Sequence, residues 1–307
     1  MENSVAFAPN HSLVLNPYNM KRVYGITIVF EKTGEEKQSL RFEIEVISKK
    51  DEKTKKWLFQ FDKRNEFINN RKPDLIAEKV ALECGKVMYP LQIEVGNNWS
   101  TKVVKSRKLA ISQLKELEEK TKMIYRSSFI DTYFLKTWET VNDPEKYLRA
   151  IEQNMFLSFF FAPLYLQYNA LDDTAETIMN LPIVPFSKPI EYSIKQKVSP
   201  KQTRFNTVTV SQKGSITDKR TQKDISNGFD EPIFIGKGQS KSLKGEFVSK
   251  YELHSTTNII HSLTAEADIS LENSKKLAFQ IQAYYLPERD KIAAQSKFIN
   301  LTELKQR

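Results

Sequence analysis

Residues 263–285 read LTAEADISLENSKKLAFQIQAYY, and this stretch decides the fold class. Apolar and polar residues alternate from Leu263 to Leu271 and again from Lys276 to Tyr285. Successive side chains of a β-strand point to opposite faces, so this alternation is typical of strands that are buried on one face only. Antiparallel sheets commonly bury one face and expose the other to solvent. The sequence therefore predicts antiparallel sheet at this end of the chain.

The N-terminal part shows the same period of two. Residues 40–46 alternate between apolar and polar, and residues 23–30 place their large apolar side chains on one face. The polar segment 31–36, which contains a glycine, lies between them and predicts a hairpin. Residues 57–61 alternate again after a lysine-rich turn. We therefore predict consecutive antiparallel strands up to about residue 62.

Between the two ends, apolar residues recur with helical spacing. Residues 106–125 carry a few apolar side chains among many charges, which is typical of a surface helix. Pro144 follows a capping Asp143 and starts a further helix, which we predict to continue through Phe161. An earlier helix is predicted from one apolar face, made by Ile76, Val80, Cys84 and Val87.

The order of these elements defines the predicted fold class. We predict an α+β protein with antiparallel β-sheet at both ends of the chain and a helical middle packed on the sheet, which could be curved or a half-barrel. The chain would divide into an α+β region, 1–180, and an antiparallel β region, 181–307, or form a single domain. Prolines at 182, 185 and 189 stiffen the passage between these regions.

The composition limits the classes of protein that the chain can belong to. It has 47 basic and 38 acidic residues, a net charge of +9, which fits an acidic partner but also serves solubility. Cys84 is the only cysteine, which excludes an intramolecular disulfide and cysteine-rich zinc sites. We find no signal peptide and no segment near the roughly 20 apolar residues of a membrane-spanning helix. We therefore expect a cytoplasmic protein without a membrane span.

No motif predicts a catalytic, cofactor-binding or metal-binding residue. The best candidate for a metal site is the pair His254 and His261, which flank a predicted hairpin. With a three-residue loop at 256–258, Leu253 pairs with His261 and His254 points to the opposite face of the sheet. This register argues against a shared metal ion, and we predict no cofactor.

The excess positive charge is concentrated between residues 195 and 250, which contain twelve basic and five acidic residues. The centre of this stretch, 212–243, is predicted to be a long polar loop, and loops of that length are either functional or disordered. It would contact an acidic partner, or it would be a mobile loop that lysines keep soluble. The candidate partner-binding residues are Lys213, Lys219, Arg220, Lys223, Lys237, Lys241 and Lys244.

The segment 155–168 is a block of aromatic and aliphatic residues. Such a block is either the core between helix and sheet, or a groove for an apolar ligand or a partner helix. The candidate residues of this apolar cluster are Phe156, Phe159, Phe160, Phe161 and Tyr165.

Several functions are compatible with these features. Our leading hypothesis is a non-catalytic binding or assembly protein that contacts a macromolecule, most simply another protein, through sheet edges and the basic loop. The alternatives are a carrier of an apolar small ligand in a cavity between sheet and helix, a nucleic-acid-binding protein, and a hydrolase that uses carboxylates. The lack of a decisive motif disfavours an enzyme, and the sequence does not predict the oligomeric state.

Overall fold

The structure, a computed structural model, describes residues 3–96, 102–234, 241–289 and 298–299. The strands are β1 (Lys21–Lys32), β2 (Gln38–Lys50), β3 (Trp57–Ile68), β4 (Leu91–Val95), β5 (Lys102–Val104), β6 (Thr174–Leu181), β7 (Ile190–Val198), β8 (Thr207–Ile216), β9 (Glu246–His254), β10 (Ile260–Ser270) and β11 (Lys276–Tyr285). The helices are α1 (Ile76–Lys86), α2 (Arg107–Ile124), α3 (Ser128–Asn142), α4 (Pro144–Glu152), α5 (Met155–Phe160) and α6 (Gln222–Ser226).

The strands are hydrogen-bonded in the order β5-β4-β3-β2-β1-β11-β10-β9-β8-β7-β6, an eleven-stranded sheet. The prediction of an α+β protein with an antiparallel sheet is confirmed. None of the helices that the structure describes is both long enough and apolar enough to cross a membrane.

The chain forms two compact units. Unit 1 comprises Met1–Pro17, Ile26–Leu40 and Glu152–Tyr285, and unit 2 comprises Tyr18–Gly25, Arg41–Ile151 and Leu286–Arg307. Each unit therefore combines segments that are distant in sequence. The division near residue 180 stays a prediction. Segment 182–189 links β6 to β7, which pair with each other.

Unit 2 contains the predicted helix with one apolar face. Val80 and Cys84 of α1 are buried, as expected, whereas Ile76 is 50% exposed. Ile76 differs because α1 begins at this residue, so its side chain lies on the first turn. In the same unit, β4 pairs with β3 on one side and β5 on the other.

Unit 1 buries one face of its strands. On β9 and β10 the odd-numbered residues from Phe247 to Leu253 and from Leu263 to Ile269 are buried. For β10 this confirms the inward positions expected from the alternation of residues 263–271. Even-numbered residues of β9, β10 and β11 lie on the opposite face and pair with one another across the strands.

The helix predicted from Pro144 to Phe161 is interrupted, so this prediction was wrong in one respect. Helix α4 ends at Glu152 and α5 begins at Met155. The side chain of Asn154 accepts a hydrogen bond from the backbone N–H of Leu157 at 3.2 Å. This N-cap satisfies a donor that continuous helix would have paired, and it starts a new helix within an apolar run.

The loop predicted at 212–243 is shorter than expected. Residues 212–216 continue β8, where Gln212 pairs with Gln196 of β7. Helix α6 then occupies Gln222–Ser226 and carries a capping box between Thr221 and Asp224. Alternation in β8 is hard to recognise because polar Gln212 takes an inward position.

The hairpin between β9 and β10 differs from its predicted register by one residue. Leu253 pairs with Ile260 rather than His261, and a β-bulge lies between Ile260 and Ser262. Asn258, the last residue of the predicted three-residue loop, has a left-handed conformation, with φ of 53°. The bulge absorbs one extra residue, so both strands still bury their odd positions.

Gly245, next to β9, allows a close approach of two strands. A Cβ atom at this position would press on the carbonyl oxygen of Asp268 and lie 2.9 Å from Ile216 Cδ1. We expect Gly245→Ala to lower the free energy of unfolding by about 1–3 kcal/mol, because backbone has to move. Gly85→Ala, where nothing lies within 4 Å of the added Cβ, should instead leave stability unchanged or raise it, because alanine is the better helix former. Urea unfolding of the wild type and both variants measures the effects, and a midpoint of Gly245→Ala equal to that of the wild type would contradict the prediction.

Candidate partner-binding face

The predicted apolar cluster packs inside unit 1. Phe159 of α5 is 0% exposed. Its ring centroid lies 6.1 Å from that of Phe247 on β9 and 5.8 Å from that of Phe279 on β11. The hydroxyl of Tyr251 donates a hydrogen bond of 3.3 Å to the carbonyl oxygen of Phe159. Helix α5 is thereby fixed against the inner face of these strands.

The other members of the cluster extend this packing. The ring centroids of Phe156 and Phe160 are 5.6 Å apart, and those of Phe160 and Phe161 are 5.1 Å apart. The hydroxyl of Tyr165 donates a hydrogen bond of 2.9 Å to the carbonyl oxygen of Asn258. Ring-to-ring contacts of this kind favour the interpretation of the cluster as core.

Most of the predicted basic residues lie in the connection from β8 to β9. The side chain of Lys223 is partly buried, with its ammonium 4.4 Å from the centroid of the Phe234 ring. Lys237 lies outside the described residues. The exposed residues of the set in this connection are Lys219, Lys241 and Lys244.

Arg220 is not available to a partner, because it is buried and 3% exposed. Its guanidinium donates to Asp218 at 2.7 and 3.0 Å, to Ser187 Oγ at 3.2 Å, and to the carbonyl oxygens of Lys188 and Pro189 at 3.0 and 3.1 Å. Burial alone would raise the pKa of Asp218, but the hydrogen bonds from Arg220 outweigh it and lower that pKa. The residue therefore ties the connection before β7 to the segment after β8.

Asp224 has a similar anchoring role. It is 0% exposed and accepts hydrogen bonds from the backbone N–H and hydroxyl of Thr221, both at 2.7 Å. Its other carboxylate oxygen accepts from the N–H groups of Ile233 and Phe234, at 3.0 and 3.1 Å. Burial would raise the pKa of Asp224, yet these donors together lower it. Much of the predicted loop is therefore held in a defined conformation.

Lys213 is in β8 and belongs to a group of lysines that share one exposed face. It lies directly opposite Lys195 of β7. Ser211, two residues earlier, lies between Lys197 of β7 and Lys250 of β9. The residues between the lysines, such as Ile194 and Gln196, are 0% exposed, so the lysine side chains point outward. We call Lys195, Lys197, Lys213 and Lys250 the basic face.

The charges of the basic face are only partly balanced. Lys250 forms an ion pair of 2.9 Å with Glu252, and Glu176 of β6 lies across from Lys195. Among the described residues, no carboxylate forms an ion pair with Lys195, Lys197 or Lys213. Like charges directly opposite each other on neighbouring strands are destabilising. The facing pair Lys195 and Lys213 is compensated only in part, by Glu176 on the other side of Lys195. A local rule that is broken in this way marks a position where function is the first explanation to test.

Beyond β9 the same exposed surface changes character. Two shallow grooves of about 260 and 210 Å³ run over β9, β10 and β11. Glu246, Glu266 and Asp268 line the larger one, and Asp268 is paired with Lys276 at 3.0 Å. The structure, over the residues that it describes, has no group of three or more side chains suited to hold a metal ion.

The histidines take separate structural positions. His254 is exposed at the end of β9, whereas His261 lies in the bulge with its ring centroid 6.0 Å from that of Tyr285. His11 Nε2 lies 2.8 Å from Asp173 Oδ1, a contact that no local sequence pattern indicates because 162 residues separate the two. This pair joins the N-terminal segment to the turn before β6.

Comparison with known proteins adds little to this geometry. No protein-family model matches the chain, and no curated protein matches it. Among solved structures, a LolA superfamily protein from Nitrosomonas europaea is similar over 91% of each chain, with 5% sequence identity and a TM-score of 0.18. A TM-score this low carries no argument about function.

Proposed function

We propose that this chain is a non-catalytic binding protein whose basic face docks an acidic, extended segment of another protein. The observation that carries this proposal is the placement of Lys195 directly opposite Lys213 on an exposed sheet surface. An acidic side chain laid between two such ammonium groups would relieve their repulsion. Binding would then recover stability that the free protein lacks.

The surroundings of the basic face favour a short acidic segment over a nucleic acid. Glu246 and Glu266 lie on the neighbouring β9 and β10 and would repel a polyanion that extends past the lysines. The outward residues between the lysines include Ser211 and Val248, which offer no ring for base stacking. The favoured ligand therefore carries a few carboxylates and then ends or becomes neutral.

The other predicted functions have less support in unit 1. A carrier would need free space at the apolar cluster, where the ring of Phe159 is in contact with two neighbouring rings. Carboxylate hydrolysis would need two carboxyl groups converging on one substrate, and Asp218 and Asp224 are each occupied by hydrogen bonds within the chain. Binding of a partner to the basic face needs neither a cavity nor converging carboxyl groups.

The proposal can be tested with defined polyanions. Fluorescence anisotropy would compare three labelled ligands: a glutamate-rich peptide, the same peptide with its glutamates changed to glutamine, and a single-stranded oligonucleotide with the same charge as the glutamate-rich peptide. We expect the glutamate peptide to bind, and its affinity to fall as ionic strength rises, because exposed charges are screened. Preference for the oligonucleotide would assign the face to nucleic acid, and no binding of either polyanion would refute the proposal.

One substitution separates a binding role from a structural one. Lys213→Glu places a carboxylate opposite Lys195, so the free energy of unfolding should rise by about 0.2–1 kcal/mol. The same change should weaken binding of the glutamate peptide by about tenfold or more, since it adds a repulsive charge to the docking surface.

Lys108→Glu is the matched control, with the same change of charge at an exposed position on α2 in unit 2. It should leave peptide affinity within about twofold at moderate salt. If Lys213→Glu and Lys108→Glu reduced the affinity equally, only the net charge would matter and the basic face would not be the site.

A further inference from the structure

The strand β6 is an edge of the sheet whose outer side has no strand partner among the described residues. In the strand order it is the last member and pairs only with β7. Its sequence, TAETIMNL, contains a single charged residue and no proline. Natural edge strands are commonly protected by lysine, proline, a bulge or shortness, because an open edge can pair with another strand.

The register shows which backbone groups of β6 point outward. Val198 N–H donates to the carbonyl oxygen of Asp173 at 3.0 Å, so the pair Asp173–Val198 is hydrogen-bonded. In antiparallel strands hydrogen-bonded pairs alternate, so the odd-numbered residues of β6 bond to β7. The even-numbered residues must then direct their N–H and C=O groups away from β7. The carbonyl oxygen of Thr174, which accepts from Asn169 N–H at 2.8 Å outside the ladder, agrees with this assignment.

The open groups therefore belong to Glu176, Ile178 and Asn180. The side chains of these residues are exposed, and Ile178 is 57% exposed. The alternate residues Met179 and Leu181 are buried, at 4% and 0% exposure. An incoming strand would meet a row of backbone donors and acceptors with the exposed apolar side chain of Ile178 at its centre.

We propose that the occupant of this edge is a second copy of the same strand, so that two chains pair β6 to β6 in antiparallel orientation about Ile178. A two-fold axis at this residue places Ile178 opposite Ile178 of the partner and Glu176 opposite Asn180 of the partner. No like charges face each other, and each carboxylate meets an amide donor. Each of these pairs exchanges two N–H···O=C bonds, because all belong to the outward-pointing set.

The chemistry of the edge favours a second copy over an unrelated peptide. In an isologous contact the same surface of each copy meets the other. The uncharged Ile178 then faces itself, and the polar residues on either side of it face each other. A strand with a lysine or glutamate at its centre would lose the contact with Ile178. This inference rests on β6 alone and is independent of the basic face.

The test exploits the direction of one backbone group. Ile178 N–H points away from β7, so Ile178→Pro removes no hydrogen bond within the chain, and proline is tolerated at such edge positions. We expect sedimentation velocity to show a concentration-dependent dimer for the wild type and a monomer for Ile178→Pro. Ile178→Thr is the matched control, which keeps both the N–H group and a β-branched side chain and should remain dimeric.

Two further measurements keep the test decisive. Circular dichroism and thermal unfolding should confirm that Ile178→Pro is folded, and Ile178→Lys, which opposes two lysines across the axis, provides a second route to the monomer. A wild type that stays monomeric up to about 1 mM would overturn the inference. So would a dimer that persists in both the proline and the lysine variants.

Discussion

Replacing Phe159 by alanine is expected to lower the free energy of unfolding by about 3–5 kcal/mol, the usual cost of truncating a buried phenylalanine. Its side chain is fully buried, and its ring contacts those of Phe247 and Phe279. The neighbouring rings belong to strands and cannot collapse into the space that the truncation leaves, so the upper part of the range applies. Chemical denaturation monitored by far-UV circular dichroism measures the loss.

This substitution also distinguishes a core from a ligand groove. Phe205→Ala is the matched control, because that ring is 71% exposed and should contribute less than about 0.5 kcal/mol. If the cluster were an open groove for an apolar ligand, Phe159→Ala would change stability little and would alter ligand uptake instead. A small effect at Phe159 would therefore revive the carrier hypothesis.

Replacing Asp224 by asparagine is expected to lower the free energy of unfolding by about 2–4 kcal/mol, because it leaves buried donors unpaired. The carboxylate accepts hydrogen bonds from two groups of Thr221 and from the N–H groups of Ile233 and Phe234. An amide nitrogen in place of one carboxylate oxygen turns a buried acceptor into a donor that faces other donors. Each buried donor left unpaired costs about 1–3 kcal/mol, and hydrogen bonds to charged groups are the stronger ones. Guanidinium chloride unfolding at neutral pH gives the difference.

The same carboxylate makes stability depend on pH in a defined direction. The pKa of Asp224 is lower in the folded protein than its ordinary value, so the unfolded chain binds the proton more tightly. The stabilisation is therefore complete above the unfolded pKa of about 3.9 and is lost as the pH falls through the lower, folded pKa. Asp224→Asn should therefore show a shallower loss of stability than the wild type as the pH falls below about 4.

Glu231→Gln is the control for this effect. Glu231 is 73% exposed at the side chain and pairs with the exposed Lys188 at 3.0 Å, so the change should cost less than about 1 kcal/mol. If both variants lost the same free energy of unfolding, the N–H and hydroxyl donors around Asp224 would be as well hydrated after the substitution as those of an exposed ion pair. The segment from Thr221 to Phe234 would then not depend on Asp224.

The anchored segment bears on the proposed function. Arg220 and Asp224 fix part of the β8–β9 connection from inside, so Lys219 and Lys223 extend from a structured base. The basic face does not depend on that connection, because its lysines are held by the strands themselves. Loop lysines and strand lysines can therefore be changed separately in binding experiments. We expect the strand lysines to dominate, since the backbone that carries them is fixed before binding and only their side chains have to be ordered.

The strands with strong alternation could be predicted, whereas β6 could not. Residues 276–285 alternate between apolar and polar, and they form β11. On β6 the apolar Ile178 points outward and the polar Thr177 points inward, which is the reverse of the usual arrangement. The sequence of β6 therefore shows no alternation between apolar and polar residues. An edge strand contacts a neighbouring strand on one side only. Fewer cross-strand contacts therefore constrain its residues, and its sequence shows the strand pattern less clearly.

The candidate site was recognised in part for a similar reason. Local charge predicts Lys213 as a partner-binding residue, but only the pairing between β7 and β8 places Lys195 opposite it. Arg220 has the same charge, and only the fold shows that it is buried and bonded to Asp218. Local composition cannot distinguish an arginine that binds a partner from one that holds two segments of its own chain together.

The sequence by itself determined the α+β class, the positions of the strongly alternating strands and of several helices, and the inward residues of β10. These features depend on the spacing of apolar residues along the chain, which can be read from neighbouring residues alone. Only the tertiary structure decided that Lys195 meets Lys213, that Asn154 ends one helix and starts another, and that Ile178 lies on an open edge. Such features arise from pairing between residues that are far apart in sequence, where the free energy depends on the partner as much as on the residue itself.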